Sequence, residues 1–273
     1  MLTSFFPSAT NELSVELERR ASIVPDEVHI WSLILQTIPN HRWLALEATL
    51  SSEERARASR FRFDRDRHAY VAARGLARHM LSHFAGCLPT AWQFTDDKYG
   101  KPRIVDPLPN RPLSFNVTHT DQLAAVAVTL TGDIGIDAES IALAPADSAI
   151  ASYYLTAEEA AQVQNLPDDA KAERFIRLWT LKEAFIKATG KGLSQPLSHF
   201  AFVSIDPVRV IFHDSGLGDP RQWVFWQQQV GMHMLALAIR WPLTLRPRIL
   251  YRSICISEHS GNRTGGLDDT NTN

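Results

Sequence analysis

The chain has 273 residues, of which 45% are hydrophobic and 21% charged, with 13 Gly, 15 Pro and 7 Trp. That profile excludes a disordered, collagen-like or fibrous protein, and no apolar run reaches the roughly 20 residues a membrane helix requires. The formal net charge of −2 argues against a broadly basic nucleic-acid binder, although a near-zero sum can conceal local patches.

Residues 1–24 carry no strong period and are expected to form an N-terminal extension. Met1 to Phe6 lacks the basic and long apolar regions of a secretory signal. Two cysteines, Cys87 and Cys255, lie far apart in sequence. They suggest buried thiols in a reduced, cytoplasmic protein rather than a disulfide framework.

The apolar, β-branched run 28–35 predicts a first strand. Ser51-Ser52-Glu53-Glu54 opens a helix: a serine cap followed by acids that suit the positive end of the helix dipole. Helical patterning runs to residue 85, with a break near Asp64. Residues 51–80 hold eight Arg and four acids, net +4, which leaves the rest of the chain at −6. Short strands are expected at 91–94 and 103–105, separated by the turn Lys98-Tyr99-Gly100-Lys101-Pro102. Further strands follow at 113–117 and 124–130; the second is small and apolar, so buried on both faces. Thr131-Gly132-Asp133 turns the chain into Ile134 to Glu139.

Thr156-Ala157-Glu158-Glu159 is a capping-box start for a short helix. A longer helix spans 168–189, closed by Gly190. Strands are expected near 200–205, 208–212, 222–229 and 233–240. The fold class is therefore α+β, with two similar α/β-like halves, a pseudo-twofold relation and a site at the interface between them. The boundaries are 1–24 for the extension, 25–132 for the first half, 133–245 for the second, and 246–273 for a tail expected to be disordered from about 257.

Three constellations could carry chemistry. Asp137 and Glu139 are two apart on a strand, so both carboxylates project from one face. They can hold Mg²⁺ or simply be a solvated strand edge. Glu183 and Lys187 share a helical face at i and i+4. A surface ion pair is one reading, but the helix is so rich in Trp, Phe, Ile and Leu that a site-facing pair is the other. Arg55, Arg57, Arg60, Arg74, Arg78, Lys101 and His119 suggest an anion pocket. No Walker A, Gly-x-Gly-x-x-Gly, His-Glu-x-x-His or Gly-x-Ser-x-Gly pattern occurs.

At these residues the chain becomes recognisable. Gly135-Ile136-Asp137-Ala138-Glu139 and Trp179-Thr180-Leu181-Lys182-Glu183-Ala184-Phe185-Ile186-Lys187, continuing to Leu193, resemble the signature of 4′-phosphopantetheinyl transferases. Their acids stand 46 residues apart, from Asp137 to Glu183, as the family's do. Tyr99-Gly100-Lys101-Pro102 and Phe115-Asn116-Val117-Thr118-His119 resemble its two upstream motifs. The likeness covers about 28–240 and points to the monomeric, pseudo-dimeric (Sfp-type) subgroup.

The resemblance implies a reaction. Coenzyme A would donate its phosphopantetheine arm to a serine of an apo acyl or peptidyl carrier protein, leaving 3′,5′-adenosine bisphosphate, in the manner of a holo-acyl-carrier-protein synthase. Asp137, Glu139 and Glu183 match Mg²⁺ ligands, with Mn²⁺ as the alternative metal. Glu183 matches the base for the carrier serine, directly or through water, and Lys187 the group at the pyrophosphate; Asp137 counts among the catalytic residues. Arg57, Arg74, Lys101, Thr118, His119 and Lys182 match positions that hold coenzyme A. Glu54 stands where some bacterial relatives have a basic residue. Neither nucleic acid nor membrane is implied as a partner. A non-catalytic module binding coenzyme A or a carrier protein, and a metal-dependent nuclease, are the competing readings.

Overall fold

The structure is a computed structural model that describes residues 22–109, 111–144, 153–244, 246–254 and 256. Most of residues 1–24 and the tail beyond 256, expected to be an extension and a disordered end, lie outside the described residues.

Alternation of apolar residues builds a layered molecule. β1 (Glu27–Ile34), β4 (Ser114–His119), β5 (Leu123–Thr129) and β11 (Arg248–Ile254) form one sheet in the order β11-β1-β5-β4. β6 (Ile134–Ser140), β9 (Trp223–Val230) and β10 (His233–Arg240) form a second in the order β6-β10-β9. Because strand side chains alternate, each central strand serves two layers. Ala124, Val126 and Val128 of β5 pack with the long helix α3 (Asp64–Ala85), while Leu123, Ala125 and Ala127 meet the second sheet. In β10, Leu235, Leu237 and Ile239 face the first sheet, and Met234, Ala236 and Ala238 face the helix α5 (Asp168–Thr189). The layers thus run α3, sheet, sheet, α5. Each fully buried Leu or Ile contributes roughly 1.5–3 kcal/mol relative to exposure.

The expected break near Asp64 separates two helices, α2 (Ser52–Ala58) and α3, with Phe63 extended between them. Two short helices precede the long ones by similar devices. Ser51 caps α2 and Thr156 caps α4 (Ala157–Gln164), each in a reciprocal capping box with Glu54 or Glu159. α1 (Arg42–Ala48) was not legible in the sequence. Two hairpins complete the element order: β2 (Gln93–Asp96) with β3 (Pro102–Asp106), and β7 (Phe200–Ile205) with β8 (Val208–Phe212). The start of the expected tail is β11, which lies parallel to β1 from Glu27↔Arg248 to Leu33↔Ile254. Among the described residues no helix is long and apolar enough to cross a membrane.

Candidate active site

The site begins with a close approach. β6 crosses α5 at Gly135, where a Cβ would stand 2.1 Å from the Ala184 carbonyl oxygen and 2.4 Å from the Ala188 nitrogen. Only a residue without a side chain lets strand and helix backbones come this near. The contact brings Asp137 and Glu139 of β6 against Glu183 and Lys187 of α5. All four line one cavity of about 760 Å³, together with Val117, Thr118 and His119 at the end of β4 and Arg65 and Asp66 at the start of α3.

Burial and neighbouring negative charge raise a carboxylate's proton affinity. Glu183 is pushed up to about 7, first by burial and then by Asp137, with Lys187 opposing. Glu139 is raised as well, by burial first and then by Asp137. Asp137 is only 4% exposed. Its Oδ1 accepts from Lys187 Nζ at 2.6 Å and from Thr118 Oγ1 at 3.4 Å, and its Oδ2 is buried without a hydrogen-bond partner. Glu139 is oriented by Trp179, whose Nε1 donates to Oε1 at 3.2 Å. Tyr154 lies against that indole, ring centres 4.7 Å apart. In the sequence Trp179 is one of the apolar residues at helical spacing, and nothing there singles it out for this task.

Hard oxygen donors, mutual repulsion and an orphaned buried oxygen fit a divalent cation of the Mg²⁺ type. As they stand, no three His, Cys, Asp or Glu side chains among the described residues are drawn together tightly enough to cage a metal. Lys187 places a positive charge beside Asp137.

The remaining predicted residues separate into two groups. His119 lines the cavity wall. Its pKa is lowered by burial first, then by the nearby charges of Lys187, Arg74 and Arg57. Arg57 and Arg74 lie beyond it, each within 3.8 Å of Asp96 and each against the Tyr70 ring. These cations and His119 form one electropositive flank. Lys101 and Lys182 do not reach the cavity. Lys101 Nζ donates to the Ile134 carbonyl at 2.8 Å and the Lys187 carbonyl at 2.9 Å. Its pKa falls to about 8, through burial first and then the charge of Arg103.

Lys182, expected to hold coenzyme A, is fully buried instead. Its Nζ donates to Glu159 Oε2 at 2.6 Å and to the carbonyls of Leu197 and Phe200. On α5 it is adjacent to Glu183 in sequence but turned about 100° around the helix, into the core rather than the cavity. Glu159, also fully buried, accepts from Phe202 N at 2.8 Å and Thr156 N at 2.9 Å. The capping box announced Glu159; nothing in the sequence announced its partner 23 residues on. Glu54, where some relatives carry a basic residue, is the partner of buried Arg78, 2.9 Å from its Nε, and lies 3.5 Å from Arg74 Nε.

Comparison with known proteins identifies the family. Residues 133–240 match the model of the 4′-phosphopantetheinyl transferase superfamily, and residues 37–131 match that of the 4′-phosphopantetheinyl transferase N-terminal region. The chain is 37% identical to the 4′-phosphopantetheinyl transferase HetI of Nostoc sp. over 174 residues, covering 64% of this chain and 73% of that protein. It is 32% identical to the 4′-phosphopantetheinyl transferase Sfp of Bacillus subtilis over 162 residues, 59% and 68% of the two chains. It is 25% identical to the mouse L-aminoadipate-semialdehyde dehydrogenase-phosphopantetheinyl transferase over 247 residues, 82% and 79%. The chain belongs to the 4′-phosphopantetheinyl transferase superfamily.

Proposed function

We propose that the protein transfers the 4′-phosphopantetheine group of coenzyme A to a serine of an apo acyl or peptidyl carrier protein, giving holo carrier protein and 3′,5′-adenosine bisphosphate. The observation that carries this is the convergence of Asp137, Glu139, Glu183 and Lys187 on one cavity. The serine oxygen attacks the phosphorus that bears the pantetheine. The bond from that phosphorus to the bridging oxygen of the pyrophosphate breaks, and the bridging oxygen leaves with the adenosine bisphosphate.

Glu183 takes the serine proton, directly or through water. A base titrating near 7 can both accept and release a proton at neutral pH. Lys187 offers a proton or charge to the departing phosphate. Asp137, Glu139 and Glu183 would hold Mg²⁺, with Mn²⁺ as the substitute; when bound, the metal neutralises pyrophosphate charge and polarises the phosphorus. Arg57, Arg74 and His119 bind the adenine and 3′-phosphate side, Thr118 and Lys187 the pyrophosphate side. In this reading residues 25–132 supply the nucleotide grip and 133–245 the metal and catalytic groups. On the same reading the enzyme is a monomer and works in the cytoplasm.

The test is mass spectrometry of apo carrier proteins of fatty acid, polyketide and nonribosomal peptide type, each incubated with the protein, coenzyme A and Mg²⁺. Gain of one phosphopantetheine group is expected. No gain on any carrier would favour a module that binds without transferring.

A further inference from the structure

β6 is an edge strand. β10 pairs with one side of it, and its other side faces β4, the edge of the first sheet. Among the described residues β4 and β6 share no backbone ladder. Side chains complete the edge instead. Lys101 Nζ donates to the Ile134 carbonyl at 2.8 Å, and the Ile136 N–H donates to Asn116 Oδ1 at 2.9 Å. Lys187 Nζ donates to the Ile136 carbonyl at 3.2 Å, and the Ala138 N–H donates to Thr118 Oγ1 at 3.2 Å. Backbone groups along the edge from Ile134 to Ala138 are thus taken up by four side chains, three from the first half of the chain and one from α5.

This arrangement sets the register between the two sheets. Asn116 and Thr118, two apart on β4, engage Ile136 and Ala138, two apart on β6. A slip of one residue would send Asp137 and Glu139 to the opposite face. The four side chains are not equivalent. Lys101 and Lys187 are long and flexible, and Thr118 and Lys187 also line the cavity. Asn116 is 4% exposed, lies outside the cavity lining, and bonds the residue immediately before Asp137. We propose that Asn116 is a positioning residue for phosphopantetheine transfer. It touches no substrate, and holds β6 so that the Asp137 and Glu139 carboxylates stand opposite Glu183. The inference rests on the function proposed above.

The test compares Asn116→Leu, which keeps the side-chain shape without an acceptor, and Asn116→Asp, which keeps an oxygen in place. Three readouts are taken: amide hydrogen exchange, Mn²⁺ affinity by paramagnetic resonance without coenzyme A, and kcat against KM. Asn116→Leu is expected to speed exchange at Ile136 while the β9 and β10 amides keep their protection. Its Mn²⁺ affinity should fall roughly tenfold, and its kcat roughly 10- to 100-fold with KM for coenzyme A nearly unchanged. Asn116→Asp should retain the Ile136 protection and most of kcat. Should Asn116→Leu fail to fold, Asn116→Ser, whose oxygen is too short to reach, carries the same comparison.

Loss of Ile136 protection with unaltered kcat and Mn²⁺ affinity would overturn the proposal. So would a kcat loss that merely tracks the folded fraction and is not rescued by Asn116→Asp. If the wild-type protein modifies no carrier, the proposed function fails, and the exchange and Mn²⁺ measurements still decide the role of Asn116.

Discussion

α3 and α5 are two solutions to one scaffolding problem. Each has 22 residues and ends at a glycine in the left-handed region, Gly86 at φ 74° and Gly190 at φ 66°. Each follows a short capping-box helix whose glutamate receives a buried cation from the long helix, Glu54 from Arg78 and Glu159 from Lys182. Both cations also donate to two backbone carbonyls where the chain enters the next strand, Pro89 and Trp92 ahead of β2 in one case, and Leu197 and the first residue of β7, Phe200, in the other. Both lie over a phenylalanine, Phe94 and Phe200. The helices differ at the next positions. α3 carries His79 and His83 where α5 carries Glu183 and Lys187. His79 is buried and held neutral, its pKa lowered to about 4 by burial. His83 lies against Trp31, ring centres 5.2 Å apart. The same frame is closed by rings on one side and opened onto carboxylates on the other. The buried ion pairs therefore belong to the frame, and the chemistry belongs to the neighbouring helical face.

The largest expected effect separates the two roles at adjacent residues. Glu183→Gln should lower transfer roughly 10²- to 10⁴-fold with the fold intact, measured as the rate of carrier mass gain; a wild-type rate would remove Glu183 from the chemistry. Next, Lys182→Met should cost roughly 3–5 kcal/mol in denaturant unfolding, because it strands a buried carboxylate. Arg78→Met should cost a similar amount, and Lys182→Met combined with Glu159→Gln should recover part of the loss. A stable single variant would break the parallel between the helices. Gly135→Ala should destabilise by about 1–3 kcal/mol through overpacking and slow transfer as well, since the Cβ forces β6 off α5; retained activity with a normal Tm would show that the crossing can relax.

A smaller effect concerns pH. The folded-state pKa of Glu183, about 7, lies above the ordinary carboxylate value of 4.5. The folded protein thus holds this proton more tightly, and metal-free stability falls as pH rises from about 4.5 to 7. Glu183→Gln should therefore stabilise the metal-free protein at pH 8 by on the order of 1–2 kcal/mol, with no gain at pH 4.5. Equal Tm shifts at both pH values would refute the cause. The smallest stability effect belongs to Arg57→Ala: its exposed pair with Asp96 at 3.8 Å should cost only about 0–1 kcal/mol, while KM for coenzyme A rises. An unchanged KM would take Arg57 out of the nucleotide grip.

Much of this was legible before any coordinates. The capping boxes at Ser51 and Thr156, the strand periods and the terminal Gly190 are local signals, set by hydrogen bonds within a few residues. Asp137, Glu139, Glu183 and Lys187 could be singled out because alternation on a strand and spacing on a helix put like groups on one face. The misreadings were all long-range. Lys182 sits beside Glu183 in the motif, and sequence adjacency suggested a shared site; one helical step turns it into the core, where Glu159 waits. Lys101 read as an anion ligand, and its ammonium instead holds the carbonyls of Ile134 and Lys187. β11, assigned to the tail, carries its apolar residues Ile249, Leu250, Tyr251 and Ile254 to the open edge of β1 and pairs there in parallel.

The sequence by itself determined most of the elements, the pairing of carboxylates by face, and a cationic stretch able to meet a polyanion, since each depends on covalent neighbours and short spacings. Only the tertiary structure decided which charges remain available. Burial makes an unpaired charge too costly to keep, so Lys182 and Arg78 are tied to glutamates from other helices. The crossing at Gly135 leaves Asp137, Glu139, Glu183 and Lys187 facing an open cavity.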